Sequence, residues 1–356
     1  MKRIFGPRRS QFLTGFCIFL IAATLTLGMV GCDYNPPPIQ KLQIRTWYDL
    51  DAVRDDLDGN YILMNNLDST TAGYEELASR TANGRKGWQP VGLGGWVWTW
   101  FGAKLAGEIF GGVLDGQGYE IRNLCIGGQE EGQVGLFGLV AGGAIIKNVA
   151  LINASVAIGQ TIDQLVGVGE DTVRRLDVAP VWGVGGLVGY NGGTVSNCHA
   201  TGNTSSDSGM GGLVGDNAGT VTNCSFTGSV SGNEGVGGLA GRNEGTIRNS
   251  YFLGNVTGDR DVGGLVGYHS GTIINSYYNY DEVLINGENI ITYGALFGED
   301  FDEWLANDRF LDTNGRLTQE GGYCLINDVS DFKQLLALGQ DNSLKFKLKN
   351  DLDLGD

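Results

Sequence analysis

The chain has 356 residues, of which 60 are glycine and 42% are hydrophobic. This much glycine indicates either low complexity or a repeat built on tight turns, and the hydrophobic content favours a packed core over disorder. The formal net charge of −16 excludes a nucleic-acid role and disfavours anionic lipid head groups, because an acidic surface repels both.

The N-terminus has the layout of an export signal. A basic segment, MKRIFGPRRS, precedes an apolar run that ends at Cys32 and the proline-rich DYNPPPIQK. The stretch Met29-Val30-Gly31-Cys32 resembles a bacterial lipobox, although Met29 stands where leucine is usual, and the resemblance implies that Cys32 is acylated. The alternative is a plain transmembrane anchor. We predict a lipoprotein signal peptide over residues 1–31 and a proline-rich tether over 32–43. The protein is then exported and anchored by lipid to a membrane of the cell envelope, on the periplasmic side or at the cell surface.

The segment after the tether predicts a capping helix. In TWYDLDAVRDDLDGN, Thr46 and Asp49 have the spacing of a capping box, and Leu50, Val53 and Leu57 share one helical face. A solenoid needs its open end covered. Residues 44–125 are therefore predicted to form an N-terminal cap and the first coils.

Three tryptophans alternate in GGWVWTWFG. This spacing places Trp96, Trp98 and Trp100 on one face of a strand. If exposed, the three indoles form a contact surface for a glycan or another protein. The alternative is a packed apolar face beneath the N-terminal cap.

A 26-residue repeat begins at Gly185, and its four copies open with GGLVG or GGLAG. A looser copy spans residues 135–156. A fixed period of this length indicates a solenoid, and the alternation of apolar and polar residues within each copy indicates strands. We predict an all-β protein, a right-handed parallel β-helix of 26-residue coils with an N-terminal capping helix.

Two columns follow from this period. Asn197, Asn223, Asn249 and Asn275 recur at one place in successive coils, which predicts a ladder of side-chain amides at a bend. Cys198 and Cys224 also stack, either as a disulfide or as two buried thiols, and the pairing of Cys125 and Cys324 stays open.

The repeat carries a resemblance. GGLVG followed by N-x-G-T-[VI]-x-N-[CS] is similar to the GLUG motif of bacterial surface and secreted proteins, which include immunoglobulin A peptidases and adhesin-like chains. The resemblance is close over residues 126–280, and His269 replaces the first asparagine in the last copy. It implies an architecture rather than an activity, and the HExxH zinc motif of those peptidases is absent from this sequence.

Other segments interrupt or end the repeat. Residues 159–183 are predicted to be a loop inserted between coils, and residues 281–325 a linker with a short helix. Residues 326–356 resemble the start of the N-terminal cap, so they form either a C-terminal cap or the beginning of a second module.

The sequence contains no phosphate loop, nucleophile elbow or complete EF-hand loop, so we expect no catalytic residue, cofactor or metal. The predicted function is a non-catalytic scaffold for adhesion or surface interaction, with a surface glycan or protein as partner. One alternative is a β-helix carbohydrate-active enzyme of the polysaccharide lyase type, with acidic and basic groups supplied by Asp163, Glu170, Asp171, Arg174 and Arg175. Another is a fragment of a larger multi-module exported protein.

Overall fold

The computed structural model of the protein describes residues 41–99, 102–127, 132–158, 183–341 and 343–352, and for residues 95–99 and 102–106 it describes the backbone alone. The signal peptide, Cys32, Trp100 and the inserted loop up to residue 182 lie outside the described residues, as do Asp163, Glu170, Asp171, Arg174 and Arg175. None of the helices in the described ranges combines the length and apolarity that a membrane span requires.

The described chain begins with a β–α–β cap. It consists of β1 (Leu42–Ile44), α1 (Trp47–Asp51), a 3₁₀ turn (Ala52–Asp55) and β2 (Asn60–Leu63), and β1 pairs parallel to β2. The predicted capping box is present: the Asp49 amide donates to Thr46 Oγ1 at 3.1 Å, and the Thr46 amide donates to Asp49 Oδ2 at 2.9 Å. Trp47, Leu50 and Val53 are buried, so this helix covers the end of the core as predicted.

A short helical region and a hairpin follow the cap. They comprise α2 (Tyr74–Leu77), α3 (Ala82–Arg85), β3 (Gly94–Thr99) and β4 (Gly102–Gly107). The hairpin strands pair antiparallel, with Trp96 opposite Leu105 and Trp98 opposite Ala103.

Every later coil contributes short strands to the same set of sheets. The strands are β5 (Val113–Asp115), β6 (Glu120–Arg122), β7 (Cys125–Gly127), β8 (Phe137–Val140), β9 (Ile145–Lys147), β10 (Ala150–Ala157), β11 (Val188–Asn191), β12 (Thr194–Ser196), β13 (His199–Ser205), β14 (Ser208–Gly211), β15 (Val214–Asn217), β16 (Thr220–Thr222), β17 (Ser225–Ser231), β18 (Glu234–Gly237), β19 (Ala240–Asn243), β20 (Thr246–Arg248), β21 (Tyr251–Thr257), β22 (Arg260–Gly263), β23 (Val266–His269), β24 (Thr272–Ile274) and β25 (Tyr277–Asn279).

These strands form parallel sheets along the axis. One sheet runs β1-β2-β5-β9-β12-β16-β20-β24, a second runs from β6 through β10, β13, β17 and β21 to β25, and a third runs β8-β11-β15-β19-β23. A small fourth sheet contains β14, β18 and β22. Pairing follows the sequence period, so that Thr194 lies beside Thr220 and Thr220 beside Thr246. The predicted parallel β-helix is confirmed.

The core lies inside the coils and consists of stacked identical or similar residues. The leucines of the four GGLVG-type segments are all buried: Leu187, Leu213, Leu239 and Leu265. Phe226 stacks on Phe252 with ring centroids 6.2 Å apart and planes 4° apart. Because each coil places the same side chain against its neighbour, one continuous apolar core forms from units that could not bury it alone.

Cys198 and Cys224 lie in one inner column and are free thiols in the structure. The Cys198 amide donates to Cys224 Sγ at 3.4 Å, and the Cys224 amide donates to Ser250 Oγ at 3.0 Å. The Ser250 amide continues the column to Ser276 Oγ at 3.1 Å. The cysteine and serine side chains therefore have the same role in this column: each accepts a hydrogen bond from a backbone amide of the preceding coil. Cys125 and Cys324 are also free thiols.

The segment after the last coil packs against that coil. It contains β26 (Leu284–Ile285), β27 (Ala295–Leu296), the predicted short helix as α4 (Gly298–Ala306), β28 (Gln319–Glu320), β29 (Tyr323–Ile326), α5 (Val329–Leu338) and β30 (Phe346–Leu348). β29, α5 and β30 repeat the β–α–β arrangement of the N-terminal cap, with β29 parallel to β30. The side chain of Gln340 occupies the place of a further rung, since it accepts from the Ser276 amide at 3.3 Å and donates to the Ser276 carbonyl at 2.9 Å.

Candidate functional site

A shallow groove runs along the outer face of β13, β17 and β21. It consists of two adjoining cavities of about 450 and 620 Å³ that share Asn197 and His199. Asp115 and Asn148 line the first cavity. The second is lined by Asn223, Ser225, Tyr251, Asp308 and Arg309, of which the last two follow α4. Three successive GLUG-length coils and the C-terminal segment thus build one surface feature.

The strand register positions the floor of the groove. His199 pairs with Ser225, and Ser225 pairs with Tyr251, so the three residues form a column across adjacent strands. The residues that follow them, Ala200, Phe226 and Phe252, are buried in the core. Because side chains alternate between the two faces of a strand, the column residues point outward at intervals of about 4.8 Å.

The predicted asparagine ladder forms one wall of the groove. Asn197 Nδ2 donates to Asn148 Oδ1 at 3.2 Å, and Asn223 Nδ2 donates to Asn197 Oδ1 at 3.1 Å. Further along, Asn275 Nδ2 donates to Asn249 Oδ1 at 2.8 Å. The backbone at these asparagines is left-handed, with φ between 46° and 55°, which asparagine tolerates better than most residues. The ladder at a bend is confirmed for these pairs.

The ladder leaves hydrogen-bonding capacity unused. An amide side chain has two N–H donors and an acceptor oxygen with two lone pairs. A rung such as Asn197 donates once and accepts once within the ladder, so one N–H and one lone pair of this exposed side chain are left without a partner in the described structure. Asn197 and Asn223 therefore keep hydrogen-bonding capacity, whereas at Asn275 the C-terminal segment uses it, because Asn275 Nδ2 also donates to the Arg309 carbonyl and Asn275 Oδ1 accepts from Trp304 Nε1.

Four further groups in the groove have no side-chain hydrogen bond or ion pair within the described part of the chain. They are the His199 imidazole, the Ser225 hydroxyl, the Asp308 carboxylate and the Arg309 guanidinium. Ser225 is only 7% exposed, yet it lines the second cavity. Arg309 lies over the Tyr251 ring, 5.5 Å from its centroid.

One end of the groove carries an ion pair between an aspartate and a lysine. Asp115 Oδ1 accepts from Asn148 Nδ2 at 2.9 Å, and Lys147 Nζ lies 3.3 Å from Asp115 Oδ2. Burial raises the pKa of Asp115, but the hydrogen bonds from Asn148 and Gln117 and the Lys147 ammonium outweigh burial and lower that pKa below its ordinary value. Asp115 is therefore ionised at neutral pH.

The structure describes the sequence-predicted contact tryptophans only in part. Trp96 and Trp98 stand at alternate positions of β3, as predicted, but their side chains lie outside what the structure describes, as does Trp100. Of the two stacked cysteines, Cys198 lines the second cavity from the core side and Cys224 continues its column.

Sequence reasoning missed a second, buried ladder. Asn191 Nδ2 donates to Asn217 Oδ1 at 2.8 Å, and Asn217 Nδ2 donates to Asn243 Oδ1 at 2.7 Å. His269 takes the next rung, with its Nδ1 3.3 Å from Asn243 Nδ2. Burial lowers the pKa of His269, which favours the neutral ring that can accept this hydrogen bond. The signal was available, because these residues share the 26-residue spacing.

The repeat model of the GLUG motif matches residues 181–205, 206–231 and 232–257. Residues 181–257 are GLUG repeats. In the structure, coils of the same arrangement continue beyond this range in both directions, since β8, β9 and β10 pair in register with β11, β12 and β13, and β23 and β24 extend the sheets at the other end.

Two known proteins resemble the chain. Halomucin from Haloquadratum walsbyi is 34% identical over 136 residues, which is 36% of this chain and 1% of halomucin. The chain therefore spans a very small part of that relative. The crystal structure of a candidate immunoglobulin A1 protease from Bacteroides ovatus is 20% identical, with a TM-score of 0.48 over 78% of this chain and 89% of the other.

Proposed function

We propose that the protein is an exported, lipid-anchored, non-catalytic β-helix that acts as a scaffold for adhesion or interaction at the cell envelope. The observation that carries this proposal is that, within each GLUG coil, the inward-facing residues are repeated while the outward-facing residues of the groove vary. Inward positions repeat, as in the column Val195, Val221 and Ile247, whereas the outward position of the groove changes from His199 to Ser225 to Tyr251. Such a rod holds its surface groups rigidly while their identity varies, which suits recognition of a surface glycan or protein.

The anchor follows from the N-terminal sequence. Cys32 comes directly after the apolar run and before the proline-rich tether. Acyl chains on this residue add roughly 0.8 kcal/mol of membrane affinity per buried methylene, and the tether separates the β-helix from the bilayer. The surface association itself is part of the proposal and is supported by the GLUG repeats and by the similarity to halomucin.

Lipidation is tested by metabolic labelling with a clickable fatty acid in a bacterial host. We expect the full chain to incorporate the label and to partition with membranes, and Cys32→Ser to lose both properties. Cys17→Ser is the matched control, because Cys17 lies within the apolar run and is removed with the signal peptide. Label retained in Cys32→Ser, or lost equally in both variants, contradicts the anchor.

The scaffold role is tested by asking whether the full chain retains cells or envelope fractions on a surface. Binding without turnover of the bound material supports the proposal. Release of new reducing ends or unsaturated sugars from uronate-rich glycans, with or without calcium, would instead establish the polysaccharide lyase alternative.

A further inference from the structure

We propose that the groove over β13, β17 and β21 binds a neutral, linear glycan whose sugar rings follow the axis of the β-helix. The proposal rests on the proposed scaffold function and names the ligand class and the site. The groove is defined as the two adjoining cavities lined by Asn197, His199, Asn223, Ser225 and Tyr251 together with Asp115 and Arg309 at its ends.

The first argument is periodicity. Along the groove the asparagine wall presents one amide per coil, at Asn148, Asn197 and Asn223, and the floor column presents one outward side chain per coil. Both repeat at about 4.8 Å along the axis. A ligand that satisfies all rungs must itself carry hydrogen-bonding groups at regular intervals along an extended chain, which is the chemistry of a linear polysaccharide.

The second argument is the type of hydrogen bond that the groove offers. A sugar hydroxyl donates and accepts at once, and each exposed rung offers both roles. Ser225 is 93% covered, but its hydroxyl has no partner among the described residues and opens into the second cavity. The Ser225 oxygen is not among the fully buried polar atoms that lack a partner in the described structure, so it is accessible from the cavity to water or to a ligand hydroxyl.

An extended peptide fits less well. Peptides that bind β-sheets usually add a strand to an exposed edge, where backbone N–H and C=O groups are unpaired. In this groove, β17 is flanked by β13 on one side and β21 on the other, and all seven residues of β17 are in register with both neighbours. The ligand therefore meets side chains and not a free backbone edge.

Charge selects a neutral glycan over an acidic one. The whole chain carries a formal net charge of −16, and Asp115 and Asp308 stand near the two ends of the groove. Lys147 Nζ lies 3.3 Å from Asp115 Oδ2, and Arg309 partly offsets Asp308, so the two ends of the groove carry little net charge of their own. The net negative charge of the whole chain disfavours the approach of a polyuronate, whereas an uncharged glycan meets no such repulsion.

The length of the groove sets the size of the ligand. The outward column from Ala150 through His199 and Ser225 to Tyr251 crosses three coil spacings, or about 14 Å. We therefore expect affinity to rise with each added sugar up to about four rings and then to level off, because further rings lie beyond the rungs of the groove.

The test uses the full chain in a detergent without a sugar head group and measures binding by calorimetry. The probes are neutral β-linked gluco-, xylo-, manno- and chito-oligosaccharides of increasing length, with oligogalacturonates of the same lengths as the acidic comparison. We expect at least one neutral series to bind with the length dependence described. Preference for the oligogalacturonates, or binding that does not depend on length, contradicts the proposal.

The variants locate the site. Ser225→Ala removes the partnerless hydroxyl, and the equivalent position of an earlier coil is already alanine, Ala150. We expect Ser225→Ala to weaken binding roughly fivefold and Ser225→Ala with His199→Ala to weaken it by roughly another fivefold, with one hydrogen bond lost at each step. Ser229→Ala is the matched control, because Ser229 is an exposed serine on the same strand that lines neither cavity.

The outcomes separate this inference from the proposed function. Unchanged oligosaccharide binding in both groove variants overturns the groove as the site. If no neutral glycan binds but the full chain still retains cells or envelope fractions, the groove proposal fails and the scaffold function stands. If neither binds, both fail. Thermal unfolding of each variant, compared with the wild-type chain, verifies that the fold is intact.

Discussion

Asparagine occupies two columns of this β-helix for different physical reasons. The exposed column needs a residue that tolerates a left-handed backbone, and Asn223 has φ 54°. The buried column has no such strain, but its amides lie in the core and must pair with one another, as Asn217 does with Asn191 and Asn243. The same residue type is thus required by conformation in one place and by hydrogen bonding in the other.

The first prediction compares the two columns. Asn217→Ala removes two ladder bonds at once, leaves Asn191 Nδ2 with only the Thr220 carbonyl at 3.3 Å and leaves the Asn243 side-chain oxygen buried without its donor, so we expect a loss of about 2–4 kcal/mol in the free energy of unfolding. Asn223→Gly keeps the left-handed backbone and breaks only exposed bonds, so its cost is expected to stay below about 1 kcal/mol. Urea unfolding followed by circular dichroism measures both, and equal losses would contradict the assignment of separate roles.

The second prediction concerns Asp216, whose pKa is raised to about 6 by burial, with a smaller upward effect of Glu244 and a downward effect of Arg242. A raised carboxyl pKa means that the folded chain binds the proton more tightly than the unfolded chain does. Stability from this group is therefore greatest below the unfolded pKa of about 4 and is lost as pH rises through about 6.

Asp216→Asn removes this pH dependence. The new amide has no charge to desolvate. A Cβ placed on Gly183 would lie 3.0 Å from Asp216 Oδ2 and 2.7 Å from Gln133 Oε1, a buried oxygen without a partner in the described structure, so both oxygens lie beside this glycine. We expect the variant to be more stable than wild type by about 2–3 kcal/mol at pH 8 and by little at pH 4. Unfolding curves at both pH values test this, and a gain independent of pH would rule out titration as the cause.

At the scale of the coil, the GGLVG glycines serve packing more than turning. A Cβ on Gly212 would lie 2.0 Å from Phe226 Cδ1, and a Cβ on Gly238 would lie 2.2 Å from Phe252 Cδ1. The second glycine of the motif therefore makes the space in which the aromatic stack lies, while the leucine that follows enters the core. The space beside Gly212 and Gly238 is filled by the phenylalanine rings, so it cannot also hold a phosphate group.

The third prediction uses another glycine column, formed by Gly202, Gly228 and Gly254. Gly228 has φ +151°, and a Cβ there would lie 1.9 Å from the carbonyl oxygen of Gly202 in the preceding coil. Gly287 also has positive φ, +85°, but nothing lies within 4 Å of its Cβ position. We expect Gly228→Ala to cost at least about 3 kcal/mol more than Gly287→Ala, because only Gly228→Ala adds a backbone clash to the strain. Thermal and urea unfolding of the pair measures the difference, and similar losses would show that the coils can separate to accommodate the methyl group.

The coils, the asparagine ladders and the groove could be predicted from the sequence only to the extent that their residues repeat along the chain. The coils and the exposed ladder follow from the 26-residue period, because each coil places Asn197 and its equivalents at the same bend. The buried ladder has the same period and was missed only because asparagine was associated with bends. No repeated residue marks the groove in the sequence, because its floor changes from His199 to Ser225 to Tyr251. Arg309 belongs to a segment that was predicted to be a linker. Such a site depends on tertiary packing, which no local pattern encodes.

For the whole molecule, the principal requirement is that the last coil be covered. The hydrogen-bonding groups of this coil that would pair with a further coil are instead bonded by side chains of the C-terminal segment. Asn275 Oδ1 accepts from Trp304 Nε1 at 2.8 Å, the Gly264 amide donates to Thr292 Oγ1 at 3.0 Å, and Ser276 is bonded by Gln340. A solenoid is stabilised by contacts between neighbouring units, so losing the terminal contacts exposes one coil at a time.

The last prediction tests this dependence with Trp304, which is fully buried and packs against Tyr277 with ring centroids 5.2 Å apart and against Phe301 with centroids 5.7 Å apart. Trp304→Ala removes these contacts and the bond to Asn275, at a cost of about 3–5 kcal/mol that falls on the C-terminal end. We expect amide hydrogen exchange to accelerate first in β25, β27 and α4, with β8, β9 and β10 still protected, because unfolding begins at the uncovered end. Trp304→Phe keeps an aromatic ring and loses the hydrogen bond from the indole N–H to Asn275. We therefore expect a smaller acceleration of exchange in the same region. Uniform acceleration along the chain in Trp304→Ala would mean that the coils unfold as one cooperative unit and that the C-terminal segment does not control their order.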